Sequence, residues 1–158
     1  MKYLQYQINR NSLYTNYRVS KFKPNVSPSC IFCLSNNVPN PPPELISHIF
    51  FDCSYTNNLW REIRNWLREL DIEITLEKKY IIFGNQEEAF SSYFNYIVLC
   101  AKYFVWKSKF KSQELYLRGF QYFLRGKLED LKNAYLLEGK DHMFEQWNIL
   151  FDYLSSLE

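Results

Sequence analysis

The feature that most restricts how this sequence can fold is a cluster of cysteines and a histidine. Three of the four cysteines and one of the two histidines form the pattern Cys30-x2-Cys33-x14-His48-x4-Cys53. Three thiolates and an imidazole are a soft set of four ligands, of the kind that structural zinc binds in tetrahedral geometry. The two-residue spacing between Cys30 and Cys33 turns both sulfurs toward one ion. We therefore expect one structural Zn²⁺, bound by Cys30, Cys33, His48 and Cys53.

The step of five positions from His48 to Cys53 argues against one continuous α-helix between them. At roughly 100° per residue, positions five apart point about 140° away from each other, so both side chains would not reach one ion. We predict that His48 lies in a short turn and that Cys53 directly precedes a helix containing Trp60.

Two other arrangements of these residues stay open. A disulfide framework with Cys100 as the fourth partner would need an oxidising compartment. The N-terminal sequence MKYLQYQINR has no apolar segment of a secretory signal, which argues against that compartment and favours Cys100 as an inert buried thiol. Alternatively, His48 packs in the core beside Ile49 and Phe50 without binding a metal.

Catalysis is not expected from this chain. Four protein ligands leave no place on the zinc ion for a catalytic water. The sequence has no glycine-rich phosphate loop, no G-x-S-x-G elbow and no H-E-x-x-H motif. If His48 binds the metal, His142 is the remaining histidine, and its position in GKDHMF is typical of a surface or capping residue.

The prolines divide the chain. All six lie between Pro24 and Pro43, and the run NNVPNPPPE is predicted to form an extended or turning loop, since proline cannot continue a helix or a sheet ladder. We infer a basic, aromatic arm and a Pro-rich zinc knuckle over residues 1–54, and a helical domain over 55–158. The two parts are expected to pack as one structural unit.

Helical spacing dominates after the knuckle. Apolar residues recur every three or four positions from Leu59 to Leu70, and Ser54 or Thr56 is the predicted N-cap of this helix. Residues 72–83 are short and mixed in character and are consistent with an extended segment.

Further helices are predicted over about 91–109 and about 113–137. Gly139 then separates a last helix, which carries Phe144, Trp147, Leu150, Phe151 and Leu154. The predicted fold class is mainly α, a helical domain with a small Pro-rich zinc-knuckle module near the N-terminus.

Positive charge is unevenly distributed along the chain. The net charge is only +2, yet residues 1–43 contain no acidic residue, and neither does the stretch between Glu88 and Glu114. Aromatic residues, 19% of the chain, are interleaved with the cations of both stretches. This combination suits a phosphate backbone with stacked bases, and a solvated helix face is the competing interpretation. The predicted nucleic-acid contacts are Lys2, Arg10, Arg18, Lys21 and Lys23 on the arm, and Lys102, Lys107, Lys109 and Lys111 on the second stretch.

The segments SPSCIFC and PELISHIFFDCSYTNNLWREIRNWL resemble the zinc-binding segment that follows the polymerase in reverse transcriptases of non-LTR (LINE-type) retrotransposons. That pattern has Cys-x2-Cys, a glutamate four residues before the histidine, an apolar pair after it, then a cysteine and a tryptophan seven residues on. The matching residues are Cys30, Cys33, Glu44, His48, Ile49, Phe50, Cys53 and Trp60. The gap between Cys33 and His48 is longer than in the family and contains NNVPNPPP; such an insertion is tolerated because loop-closure entropy grows slowly with length.

Weaker similarity to the same element proteins extends along most of the chain. LQYQINRNSLYTN resembles their basic, aromatic lead-in, YIIFG the short segment after the first helix, and LCAKYFVWKSKF their helical tail. The paired aspartates of the polymerase and the endonuclease motifs do not occur. The resemblance therefore implies the C-terminal region alone, non-catalytic by itself, of a protein that would be an RNA-directed DNA polymerase.

The resemblance also implies a function, which is to help hold element RNA or nicked target DNA during target-primed reverse transcription. RNA, DNA and the polymerase portion of the parent protein are the expected partners. One alternative is a structural zinc module that contacts the polymerase or a host protein without binding nucleic acid. Another is a metalloenzyme, which would need an open zinc position.

The expected location is intracellular, in a cytoplasmic ribonucleoprotein and in the nucleus. The sequence has no run approaching the roughly 18 to 20 apolar residues that span a bilayer. Neither a membrane nor a small-molecule substrate is an expected partner.

Overall fold

The computed structural model describes residues 1–85, 91–111 and 114–157, and apart from the side chains of residues 91 and 92 it defines their packing. These residues are mainly helical, which confirms the predicted class, and among them the one element of β pairing is an isolated antiparallel bridge between Ser29 and Pro43. The helices are α1 (Lys2–Asn9), α2 (Asn16–Ser20), α3 (Ile31–Ser35), a π-helix (His48–Asp52), α4 (Ser54–Glu69), α5 (Lys78–Phe83), α6 (Ser91–Lys111), α7 (Leu117–Leu137), a 3₁₀-helix (Asp141–Trp147) and α8 (Asn148–Ser155).

The first 23 residues form a folded part of the core. Helix α1 buries Leu4 and Ile8 and packs on α5 and α6, and Leu13 is buried in the segment that follows it. Thr15 caps α2 by accepting a hydrogen bond from the backbone N–H of Arg18. The predicted arm therefore packs against α5 and α6, because the apolar residues of α1 recur with helical spacing.

Helix α4 has the predicted amphipathic face, which buries Leu59, Trp60 and Ile63, but its predicted N-cap is wrong. Cys53 holds that position, and Ser54 is already the first helical residue. The Thr56 hydroxyl donates a hydrogen bond to the Ile49 carbonyl at 2.8 Å, so it ties α4 to the preceding π-helix.

The expectation of an extended segment before Gly84 is also wrong. Residues Lys78–Phe83 form α5, which buries Ile81 and Ile82 and packs on α1 and on the π-helix. Strand-forming residue types adopt a helix here because packing against these neighbours outweighs their modest local preference. Gly84 then takes a φ of +88°, which ends the helix in a conformation that few other residues adopt.

Helices α6, α7 and α8 form the C-terminal layer, in which α7 contacts both α6 and α8. The predicted start of α7 near residue 113 lies outside the described residues, and the described helix begins later, at Leu117. Rings fill the contact surfaces: Trp147 stacks on Tyr93 with centroids 4.2 Å apart, and Trp66 of α4 packs against Phe120 and Tyr153. Buried side chains from α1 to α8 form one hydrophobic core.

Within the described ranges, no helix combines the length and apolar character that a membrane crossing requires.

Candidate metal centre and adjoining groove

The four predicted zinc ligands meet in one place. Their ligand atoms all lie within 4.8 Å of one another. The Cys53 sulfur is 4.0 Å from that of Cys30 and 3.8 Å from that of Cys33, and the Cys33 sulfur is 3.6 Å from His48 Nε2. A tetrahedron with Zn–S bonds of about 2.3 Å and a Zn–N bond of about 2.0 Å has S···S edges of about 3.8 Å and S···N edges of about 3.6 Å. The cluster therefore has the size and donor set of a tetrahedral zinc site.

The Pro-rich loop and α3 position the first pair of ligands. Cys30 directly precedes α3 and Cys33 lies within it. The Cys30 N–H donates to the Pro42 carbonyl at 2.9 Å, and the Ser29–Pro43 bridge lies beside it. Both ends of the long inserted loop are therefore fastened together, which explains why its length does not separate the ligand pairs.

A π-helix positions the second pair. The Cys53 N–H donates to the His48 carbonyl at 2.8 Å, a bond that spans five residues and is typical of π geometry. This wider turn brings His48 and Cys53 together, as an α-helix would not. The prediction of a turn at His48 and of Cys53 just before the Trp60 helix is confirmed. Trp60 stabilises the junction between the π-helix and α4, because its indole N–H donates a hydrogen bond to the Phe50 carbonyl at 2.7 Å.

Cys53 is the most acidic thiol of the cluster, chiefly because the Cys30 thiol donates a hydrogen bond to it. A hydrogen bond from the Cys30 thiol, the backbone N–H groups of Thr56 and Tyr55, and the charge of His48 lower the pKa of Cys53 to about 5. Burial, followed by the charge of Cys53, raises the pKa of Cys33 to about 11, and the shared hydrogen bond with Cys53 raises the pKa of Cys30. Before metal binds, negative charge is thus concentrated on Cys53, at the positive end of a helix.

The other cysteine and histidine lie apart from this cluster. Cys100 is fully buried, and burial raises the pKa of its thiol to about 12, which fits the predicted inert thiol. His142 is exposed in the 3₁₀-helix, as expected for a surface residue.

Sequence reasoning named Glu44 only as a position of the family pattern, and the structure shows that it joins the Cys/His cluster to the rest of the fold. Its carboxylate is fully buried and accepts hydrogen bonds from the backbone N–H groups of Asn16, at 2.7 Å, and Ile31, at 3.2 Å. It also forms an ion pair with Lys109 of α6. The signals in the sequence were its match to the family's glutamate four residues before the histidine and its position as the first acid of the chain.

Two predicted nucleic-acid contacts, Lys102 and Lys109, are buried and do not face solvent. The Lys102 ammonium donates to the Gln5 side chain and to the Ile82 carbonyl, and Lys109 pairs with Glu44. Because both cations are occupied inside the protein, we exclude them from the predicted interface. The apolar part of each side chain packs inside the protein. The alternation of lysines in the sequence did not indicate this burial.

Burial of Lys102 predicts a specific pH dependence of stability. Loss of solvation lowers the pKa of its amine from 10.5 to about 7. Between these values the unfolded chain binds more protons than the folded one, so the free energy of unfolding gains a contribution that rises with pH. From pH 7 to pH 10, we expect the free energy of unfolding of the wild type to rise by on the order of a few kcal/mol more than that of Lys102→Met. Urea unfolding at both pH values measures this; parallel pH profiles would contradict it.

The remaining predicted contacts are exposed: Lys2, Arg10, Arg18, Lys21, Lys23, Lys107 and Lys111. Lys107 and Lys111 are each two residues from Lys109, roughly 200° around α6, so they point away from Glu44 and the metal centre.

An open groove of about 760 Å³ lies between α2, the end of α5 and the segment 45–47 that directly precedes His48. We call it the arm groove; its lining includes Tyr17, Arg18, Lys21, Phe22, Ser47 and Phe83. The Arg18 guanidinium donates to the Asn11 carbonyl, and the Lys21 ammonium lies 4.6 Å from the centre of the Tyr17 ring. The lining contains no acidic side chain in the described part of the chain. Sequence reasoning found the cations of this groove but missed its wall from α5.

Residues 1–60 match the family described as zinc-binding in reverse transcriptase. This part of the chain is therefore similar to that zinc-binding segment. The match includes the whole Cys/His cluster and α1 to α3, and it ends at Trp60 within α4. It confirms the resemblance to a reverse-transcriptase zinc segment, and together with the donor set it supports zinc as the metal. Neither curated proteins nor solved structures include a significant match.

Proposed function

We propose that this chain is a zinc-stabilised, non-catalytic module through which a reverse transcriptase binds nucleic acid. The segment match supports the zinc and the link with reverse transcription. One structural ion held by Cys30, Cys33, His48 and Cys53 would fix α3, the Pro-rich loop and the start of α4. The nucleic-acid role is supported by the position of the arm groove.

The observation that carries this proposal is that two exposed cations line a groove whose wall directly precedes His48 of the Cys/His cluster. Arg18 and Lys21 line the arm groove, and Ser47 lines it directly before the ligand His48. Zinc at His48 would thus hold one wall, and Glu44 holds α2, which carries Arg18, against the same segment. A groove with positive charge and no acidic lining among its described residues suits a phosphate backbone.

In the parent protein, this module would help hold element RNA or nicked target DNA during target-primed reverse transcription in a LINE-type element. Its location would be a cytoplasmic ribonucleoprotein and the nucleus. The alternative is a zinc module that contacts only the polymerase or a host protein. The following experiment distinguishes this alternative from a module that binds nucleic acid.

Removal of the groove cations is expected to weaken nucleic-acid binding and its dependence on salt. In the variant Arg18→Ala/Lys21→Ala, the log–log slope of affinity against salt should fall by roughly 0.7 to 0.9 for each phosphate that the protein no longer neutralises. Fluorescence anisotropy of the zinc-loaded protein with labelled RNA and DNA, across a salt series, measures both quantities.

The matched control is Arg64→Ala/Arg68→Ala, which removes the same charge from exposed positions of α4. We expect this control to keep the wild-type slope. Equal effects of the two double variants would show that net charge, rather than the arm groove, governs binding. A wild-type protein that binds no nucleic acid even at low salt would refute the proposed function.

A further inference from the structure

The arm groove is more apolar and more aromatic than a phosphate site alone requires. Phe22 and Phe83 line it from different elements, and their side chains are 56% and 63% exposed. Leu45, at 41% exposed, adds to the same apolar wall. Exposed rings gathered in one concave surface are typical of a binding site, because isolated exposed apolar residues do not form such a surface.

Neighbouring groups place these rings at the groove. Phe22 packs edge-to-face on Tyr14, with ring centroids 6.3 Å apart. Phe83 is the last residue of α5, whose Ile81 and Ile82 are anchored in the core. Phe22 lies in the turn after α2 and Phe83 at the end of α5, so both rings line the groove and are open to a flat apolar partner.

This combination of rings and cations discriminates between the forms of nucleic acid. In a duplex, the faces of the bases are stacked on one another, and only base edges and backbone are accessible to a protein. In a single strand, bases can be splayed out and stacked on aromatic side chains while cations contact the phosphates. The groove also has the dimensions of a pocket for a ligand of a few hundred Å³, which suits a small number of unpaired nucleotides.

We propose that the arm groove binds an unpaired segment of RNA or DNA, with bases stacked on Phe22 and Phe83 and phosphates at Arg18 and Lys21. This inference rests on the proposed function and deepens it, since it specifies the form of nucleic acid that the module selects. The positive charge of the groove favours a polyanionic strand over an apolar peptide as its occupant.

The test compares an unstructured labelled 12-nucleotide strand with a duplex of the same sequence, both titrated with the zinc-loaded full chain. Phe22→Ala/Phe83→Ala is expected to weaken binding of the single strand by about 5-fold or more for each stacking interaction removed. Its affinity for the duplex and its salt slope are expected to stay unchanged, because no cation is removed.

The matched control is Tyr3→Ala/Tyr6→Ala, which removes two exposed rings of α1 that do not line the groove. We expect it to bind both ligands as the wild type does. Since Phe22 and Phe83 are largely exposed, their replacement should leave the thermal melting temperature within a few degrees of the wild type, and circular dichroism checks this.

Each outcome bears on a separate claim. If the phenylalanine variant binds the single strand as tightly as the wild type does, or weakens strand and duplex equally, the inference is wrong; the effect of Arg18→Ala/Lys21→Ala then still decides the proposed function. If the wild type binds neither ligand at low salt, both claims fail, and a protein is the remaining occupant of the groove.

Discussion

Removal of the metal is expected to unfold the region around the Cys/His cluster and to cause a loss of stability on the order of 10 kcal/mol. Helix α3 and the π-helix have five residues each, too short to persist in water without tertiary support. The three cysteines of the cluster are buried, and the hydrogen bonds that thiols form with one another and with an imidazole are weak. Coordination bonds would therefore supply most of the cohesion of this region.

The measurement is thermal and urea unfolding, followed by circular dichroism, of the zinc-loaded protein with and without a chelator. Metal analysis should give one zinc ion per chain, and cobalt substitution should give the visible spectrum of a tetrahedral thiolate site. His48→Ala and Cys53→Ala should lose the metal. The matched controls are His142→Ala and Cys100→Ala, which change the same residue types outside the cluster and should retain it. Identical unfolding curves with and without chelator would contradict a structural role of the metal.

The Cys/His cluster could be predicted from the sequence because its members lie close together in the chain. The spacing of Cys30 and Cys33 fixes their geometry locally, and the step from His48 to Cys53 already excludes an α-helix between them. The π-helix that resolves this step was not predicted, since its five-residue turn depends on packing. Ile49 and Phe50 are fully buried between α4 and the helices around them, which stabilises this otherwise rare turn.

The sequence did not reveal the contacts between segments that lie far apart in the chain. Two cations of the second stretch, Lys102 and Lys109, have the sequence context of a charged surface, and their burial follows from partners such as Gln5 and Glu44, 97 and 65 positions away. Residues 78–83 were misinterpreted for the same reason, because their helix depends on α1. The arm groove likewise combines segments from three parts of the chain.

Replacement of Glu44 is expected to give the largest effect of any single change outside the metal ligands. In Glu44→Gln, the ammonium of Lys109 would stay buried without a compensating charge, which typically costs about 3 to 5 kcal/mol of folding stability. The N–H groups of Asn16 and Ile31 would also lose a charged acceptor. Urea unfolding of the zinc-loaded protein measures this loss.

Two further variants separate the buried ion pair from a general effect of charge. Glu129→Gln makes the same substitution in an exposed pair with Arg125, and it should change stability by less than about 1 kcal/mol. Glu44→Gln/Lys109→Met removes both charges and should recover part of the stability that Glu44→Gln loses. If Glu44→Gln and Glu129→Gln are equally stable, the buried pair does not stabilise the fold.

The same substitution should affect the Cys/His cluster and the groove, because Glu44 accepts hydrogen bonds from a residue next to each. Ile31 follows the ligand Cys30, so a weaker hold on its N–H should lower zinc affinity, which chelator competition measures. Asn16 begins α2, which carries Arg18, so affinity for an unpaired strand should fall as well. A protein with Glu44→Gln that loses stability but keeps wild-type zinc and strand affinities would confine Glu44 to a role in folding. Losses in all three measurements would instead establish that one buried carboxylate holds the metal centre, the groove and helix α6 in a common arrangement.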